Sequence, residues 1–185
     1  MKKILFILLF LNSIVCFSQK NFTSDEFNLT TDNGQKWENN IKIFLYGDYN
    51  FVDSVTIVKT ITEFNSILET IHIELVDDIS LSNTVMYFTT DNDFIKLFPW
   101  SEKDVKNSTG ITYTNVAGKK ITKVRLHIDI TECRKYGCTP ITIRHEMFHI
   151  LGFGHIENEK NTILKSRSEE FSERDKEMIS LLYKK

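Results

Sequence analysis

The chain lacks most features that would assign it to a functional class at a glance. Its 185 residues carry a net charge of only −2. With no basic patch and no stacking module, nucleic acid is a poor partner. No repeats or low-complexity tracts interrupt it. Cysteine occurs three times, and no nearby ligand set would complete a metal site built on those thiols. Only one long hydrophobic run exists, Ile4 to Phe17, so nothing further along is suited to span a membrane.

That run reads as a secretory signal peptide over residues 1–18. A basic start, Met1-Lys2-Lys3, precedes it, and Ser18-Gln19-Lys20 follows, a flank unlike that of a spanning helix. Cleavage after Ser18 removes Lys2 and Lys3 and takes the net charge from −2 to −4. The rival reading, a lipoprotein acylated at Cys16, is disfavoured by Val15, where a small residue is expected. The mature protein is therefore expected to be soluble, exported to an extracellular or periplasmic space, free of the membrane and monomeric. Residues 19–36 are polar and irregular, an arm or short prosegment in which Asp25, Glu26 and Asp32 read as solvated acids. Residues 37–185 have the length of one domain. Fourteen Phe and 12% aromatics supply a core.

The chemistry sits in His145-Glu146-Met147-Phe148-His149-Ile150-Leu151-Gly152-Phe153-Gly154-His155. Residues four apart share a helix face, so His145 and His149 can aim two imidazoles at one ion. Glu146 lies about 100° around the axis, where it can reach a water without ligating. Gly152 lets the helix stop in a left-handed turn and brings His155 back as third ligand. Three protein ligands leave a fourth zinc position open, as in catalytic rather than structural sites. A chance match in a chain this long is roughly one in a hundred thousand on ordinary residue frequencies, which sets aside unrelated histidines. Ile141, Ile143, Met147, Phe148, Ile150 and Leu151 give the helix an apolar surface. Pro140 suits its first turn, and Thr139 is the expected cap.

This H-E-x-x-H-x-x-G-x-x-H stretch resembles the signature of the metzincin zinc endopeptidases, and the short chain is most similar to their matrixin-type catalytic domains. The resemblance implies an α+β fold of the metzincin-like zincin kind: a twisted mixed sheet, an active-site helix, and a small C-terminal subdomain with a final helix. It implies one catalytic Zn²⁺ on His145, His149 and His155, Glu146 as general base, and an extended polypeptide as substrate. The family places a methionine in a tight turn beneath the metal. Here Asn161-Thr162-Ile163-Leu164 puts Leu164 in that place, a swap that conserves volume, and Met178 falls in the last helix. The family's tyrosine position holds Ser166, so no fifth protein ligand is expected. Ile156 matches none of the residues that sort the branches. The alternative is an exported zinc-binding or interaction protein with a degenerate site.

Patterning predicts a strand at Ile41–Tyr46, a long helix from Val52 to Leu68, and strands at Ile71–Val76 and Thr84–Thr90. A short helix from Asp91 to Phe98 stops at Pro99. A hairpin pairs Gly110–Val116 with Ile121–Ile130, and a last helix is capped by Ser172. The segment Thr109 to Asn115 resembles the family's cleft-bordering edge strand, which pairs with extended substrate; an ordinary hairpin strand with no substrate role is the equal alternative. Cys133 and Cys138 are expected to pair in an oxidising compartment, with two free thiols as the alternative. His72 and His127 read as ordinary sheet histidines. Asp77-Asp78 and Asp91-Asn92-Asp93 lack the loop spacing of a Ca²⁺ site, and caps and turns account for them.

Overall fold

The computed structural model describes residues 34–155, 162–165 and 170–185. The expected signal peptide, Cys16, the acids up to Asp32, Ile156 and Ser166 lie outside them. The elements in order are β1 (Ile41–Gly47), α1 (Phe51–Asn65), β2 (Ile73–Leu75), β3 (Thr84–Thr89), α2 (Asp91–Leu97), α3 (Glu102–Val105), β4 (Gly110–Ala117), β5 (Lys120–Asp129), α4 (Ile130–Tyr136), α5 (Thr139–Ile150) and α6 (Glu173–Leu182). The strands form one sheet in the order β2-β1-β3-β5-β4. All neighbours are parallel except β4, which runs antiparallel to β5. β4 is therefore an edge strand, joined to β5 through a turn in which Gly118 takes φ 63°.

Alternation along the strands divides two cores. Ile41, Ile43, Met86, Phe88, Val124, Leu126 and Ile128 face α1 and α5 and build the main core with Phe64, Met147 and Phe148. Val85 and Tyr87 point the other way and pack with Phe94 of α2 and Val105 of α3. α1 begins with a capping box, in which Asp53 N–H donates to Asn50 and Asn50 N–H donates to Asp53. Its many threonines do not break it, because Thr56, Thr60 and Thr62 each donate back to the carbonyl four residues earlier, a bond that spares the hydroxyl without leaving the helix. Of the acidic clusters, Asp78 caps a short 3-10 turn, accepting from Ser80 N–H, and Asp91 and Asp93 stand in the first turn of α2 beside its cap Thr90.

Three expectations are corrected. β5 ends at Asp129, and α4, which the pattern did not reveal, begins at Ile130 because the Asp129 carboxylate accepts from Thr131 N–H at 2.9 Å. Thr139 is inside α5; its cap position is Cys138, with no side-chain capping bond. Cys133 and Cys138 are free thiols, their sulfurs 3.3 Å apart. Cys133 is fully buried in α4, and burial pushes its thiol up to about 12.

Both ends of α5's exit are pinned from afar. Trp37 Nε1–H donates to Ile150 O at 2.7 Å, and Tyr183 O–H donates to Leu151 O at 2.7 Å while accepting from Trp37 N–H at 3.2 Å. These bonds satisfy carbonyls that a helix end leaves without partners. Tyr183→Phe is expected to cost about 1–3 kcal/mol, since it orphans a buried acceptor and a buried donor together. Urea denaturation of the purified protein measures it, and an unchanged midpoint would show that those groups find other partners.

Candidate metal centre

Two elements of sequence build the triad. α5 carries His145 and His149 one turn apart on one face. After Leu151 the chain turns through Gly152 at φ 98°, where a Cβ would stand 2.5 Å from Gln35 O, so only glycine fits on both counts. Phe153 then stacks on Phe148 with ring centres 4.7 Å apart, and His155 swings back over the helix. The three imidazole centroids form a near-regular triangle of 4.9, 5.1 and 4.8 Å sides. Their ligand nitrogens all lie within 4.8 Å of one another.

Each helical imidazole is held by a backbone carbonyl. His145 Nδ1–H donates to Ile163 O at 3.1 Å, and His149 Nδ1–H donates to Phe153 O at 2.6 Å. That choice of tautomer frees both Nε2 lone pairs, which meet 3.2 Å apart. A tetrahedral zinc with nitrogens at its usual bond length separates two ligands by about 3.3 Å, so the spacing fits. Burial pushes His145 below its ordinary value and His149 down to about 3, the neighbouring imidazoles adding to the effect on His149. Both are therefore neutral and able to ligate. Nitrogen donors of this kind suit zinc and do not suit calcium, which takes oxygen.

Glu146 projects from the face of α5 next to the one that carries the histidines, towards β4, and lines the same clefts as His145, His149 and His155. It is buried, and burial lifts its carboxyl from 4.5 to about 7, opposed by a hydrogen bond from Thr112. Thr112 Oγ1–H donates to Glu146 Oε2 at 2.8 Å. β4 can approach this closely because of Gly110, where a Cβ would meet Thr142 Cγ2 at 2.6 Å and Glu146 Cγ at 2.8 Å. Open clefts flank the centre. One of about 480 Å³ lies along Thr112, Thr114 and Phe153; the other, of about 910 Å³, lies along Gly110, Tyr136, Thr142 and Leu164.

The four residues picked from the motif thus come together. Leu164 is buried in the turn Thr162–Lys165, at the floor of the second cleft. His127 lies apart, on the face of the sheet that carries Phe94, its ring stacked on that residue at 4.4 Å. The His72 ring lies 3.4 Å from the Asn65 amide, away from the triad. Sequence reading missed Gly110 and Thr112 as neighbours of Glu146. The one signal was a glycine opening a strand already placed beside the cleft.

The fold that carries this centre is metzincin-like. Two solved structures of myroilysin share it. One matches with a TM-score of 0.53 and 11% sequence identity, over 84% of this chain and 98% of that one. The other matches with a TM-score of 0.50 and 11% identity, over 86% and 93%. No protein-family model and no curated protein sequence matches the chain.

The raised Glu146 carboxyl has a measurable consequence in the metal-free protein. Its folded value, about 7, exceeds the ordinary 4.5. Stability from the protonated form is then complete below the unfolded value and is lost as pH rises through the folded one. Glu146→Gln is expected to exceed wild type by roughly 3 kcal/mol at pH 8 and to match it at pH 4. Urea denaturation in chelator reads the difference, and a gap that stays constant between the two pH values would refute the desolvation.

Proposed function

We propose that the protein is an exported zinc-dependent endopeptidase that hydrolyses peptide bonds in extended polypeptides. The observation that carries this reading is the convergence of His145, His149 and His155 beside a desolvated carboxyl at Glu146. A binding site alone has no use for that carboxyl. His145, His149 and His155 would hold Zn²⁺, which when bound supplies Lewis acidity and an acidified water.

The chain's own residues supply the rest. Glu146, tuned near neutrality, accepts the proton of the attacking water and returns it to the leaving amine. Thr112 holds one of its oxygens and so orients the other. Among the described residues no strand pairs the outer edge of β4, and that edge can offer backbone groups to a substrate strand, with main-chain bonds for affinity and the flanking clefts for side-chain choice. Thr112 belongs to that same strand, so the element that aligns substrate also steadies the base. The matrixin branch rests on chain length alone, and the proposal is made for the metzincin class as a whole. Export follows from the leading apolar run, and a polypeptide is the only macromolecular partner that the reading requires.

Incubation of the mature protein with a denatured protein, with and without chelator, is the direct test. Cleavage that chelator abolishes is expected. Glu146→Ala should keep zinc and lose nearly all cleavage, whereas His149→Ala should lose both. No cleavage by zinc-loaded wild type would favour the zinc-binding alternative, and full cleavage by Glu146→Ala would reject Glu146 as the base. Thr112→Val should lower kcat roughly tenfold to a hundredfold, the scale of a lost partner to an active-site ligand, with KM little changed, and Thr112→Ser should restore it. Steady-state kinetics on a short peptide resolve the two constants, and a KM-only effect would remove Thr112 from this role.

A further inference from the structure

We propose that Asp175, in the first turn of α6, is a positioning residue for the metal centre and acts through the backbone of Ile163 on His145. Asp175 is fully buried. Its carboxylate accepts Ile163 N–H at 3.0 Å on Oδ1 and 3.2 Å on Oδ2, Ser172 N–H at 2.8 Å, and Ser172 Oγ–H at 2.7 Å. The Ser172 bonds, with Asp175 N–H donating to Ser172 Oγ at 3.1 Å, make a capping box for α6. The Ile163 bond is no part of capping. It reaches out of the helix to a turn twelve residues upstream.

Ile163 is the residue whose carbonyl accepts from His145 Nδ1–H at 3.1 Å. One residue is thus held by its N–H and holds a metal ligand by its C=O. Its side chain is fully buried, as are Thr162 and Leu164 on either side, so the turn cannot rotate to substitute another carbonyl. The other anchor of this arrangement is charge. Arg144, next to His145 in sequence, is buried with its guanidinium 4.2 Å from the Phe171 ring centre and paired with Glu63. Burial pushes the Asp175 carboxyl above its ordinary value, and the hydrogen bonds from Ser172 and Ile163, with the Arg144 charge last, oppose that rise. By holding the Ile163 peptide through its N–H, Asp175 sets the place of the carbonyl that receives His145 Nδ1–H, and so where His145 Nε2 points.

This inference rests on the triad's being a metal site and not on peptidase activity, so its readout is metal affinity. Zn²⁺ affinity by chelator competition, the Co²⁺ absorption spectrum and urea stability are measured together on wild type, Asp175→Ala, Asp175→Asn and Ser172→Ala. Ser172→Ala removes the cap and leaves the Ile163 bond, so it should lose stability while keeping zinc affinity and the wild-type cobalt spectrum. Asp175→Ala should lose up to roughly a hundredfold in zinc affinity, the upper range for an outer-shell partner, and shift the spectrum. Asp175→Asn keeps the shape and one of the two acceptor oxygens and should lose roughly tenfold, which preserves the test should the alanine variant fail to fold. Affinity losses that track stability alike in Ser172→Ala and Asp175→Asn would overturn the role of Asp175. A wild type that binds no zinc would overturn the metal centre itself.

Discussion

Two neutral imidazole nitrogens held 3.2 Å apart set their lone pairs against each other, and much of the architecture serves to keep them there. In water the rings would separate or share a proton. Here α5 fixes their spacing, the carbonyls of Ile163 and Phe153 fix their tautomers, and burial keeps them unprotonated. The cost is offset by the packing of the helix itself, whose other faces carry Ile143, Met147, Phe148 and Ile150 into the main core. A divalent ion placed among the three rings turns that repulsion into coordination.

The same helix serves two purposes on adjacent faces. One face presents the ligands; the neighbouring face presents Glu146 to β4. Glycine at 110 and glycine at 152 make this compact arrangement sterically feasible, one by letting a strand lie against α5 and the other by letting the chain double back. The rest of the sheet is a platform. Its parallel strands carry apolar residues into both cores, and the single antiparallel strand at the margin leaves one row of backbone groups beside the cleft. The aromatic residues at the two chain ends of the domain complete it. Trp37 and Tyr183 are far apart in sequence, yet both close on the carbonyls where α5 stops.

Much of this was legible in the amino-acid order. Strands β1 and β3, helix α1, the hairpin of β4 and β5, the histidine-bearing helix and the last helix all fall where periodicity and turn residues put them. What failed had local causes. α4 was invisible because its seven residues carry little apolar pattern, and its start depends on one Asp129 cap. The cysteine pair suggests a bridge because proximity in sequence is all that a sequence offers; the structure holds both as free thiols, with Cys133 buried in α4. The cap of α5 was misplaced by one residue, a scale on which helix ends fray.

Sequence by itself determined the donor set: three histidines, a glutamate and a glycine, at spacings that a helix and one turn convert into convergence. That works because ligand geometry within eleven residues is governed by local backbone periodicity. Tertiary structure alone decided what surrounds the set. Thr112 reaches Glu146 across thirty-four positions and Asp175 reaches Ile163 across twelve. No local rule encodes those meetings, because they depend on how the sheet edge and the final helix pack against α5.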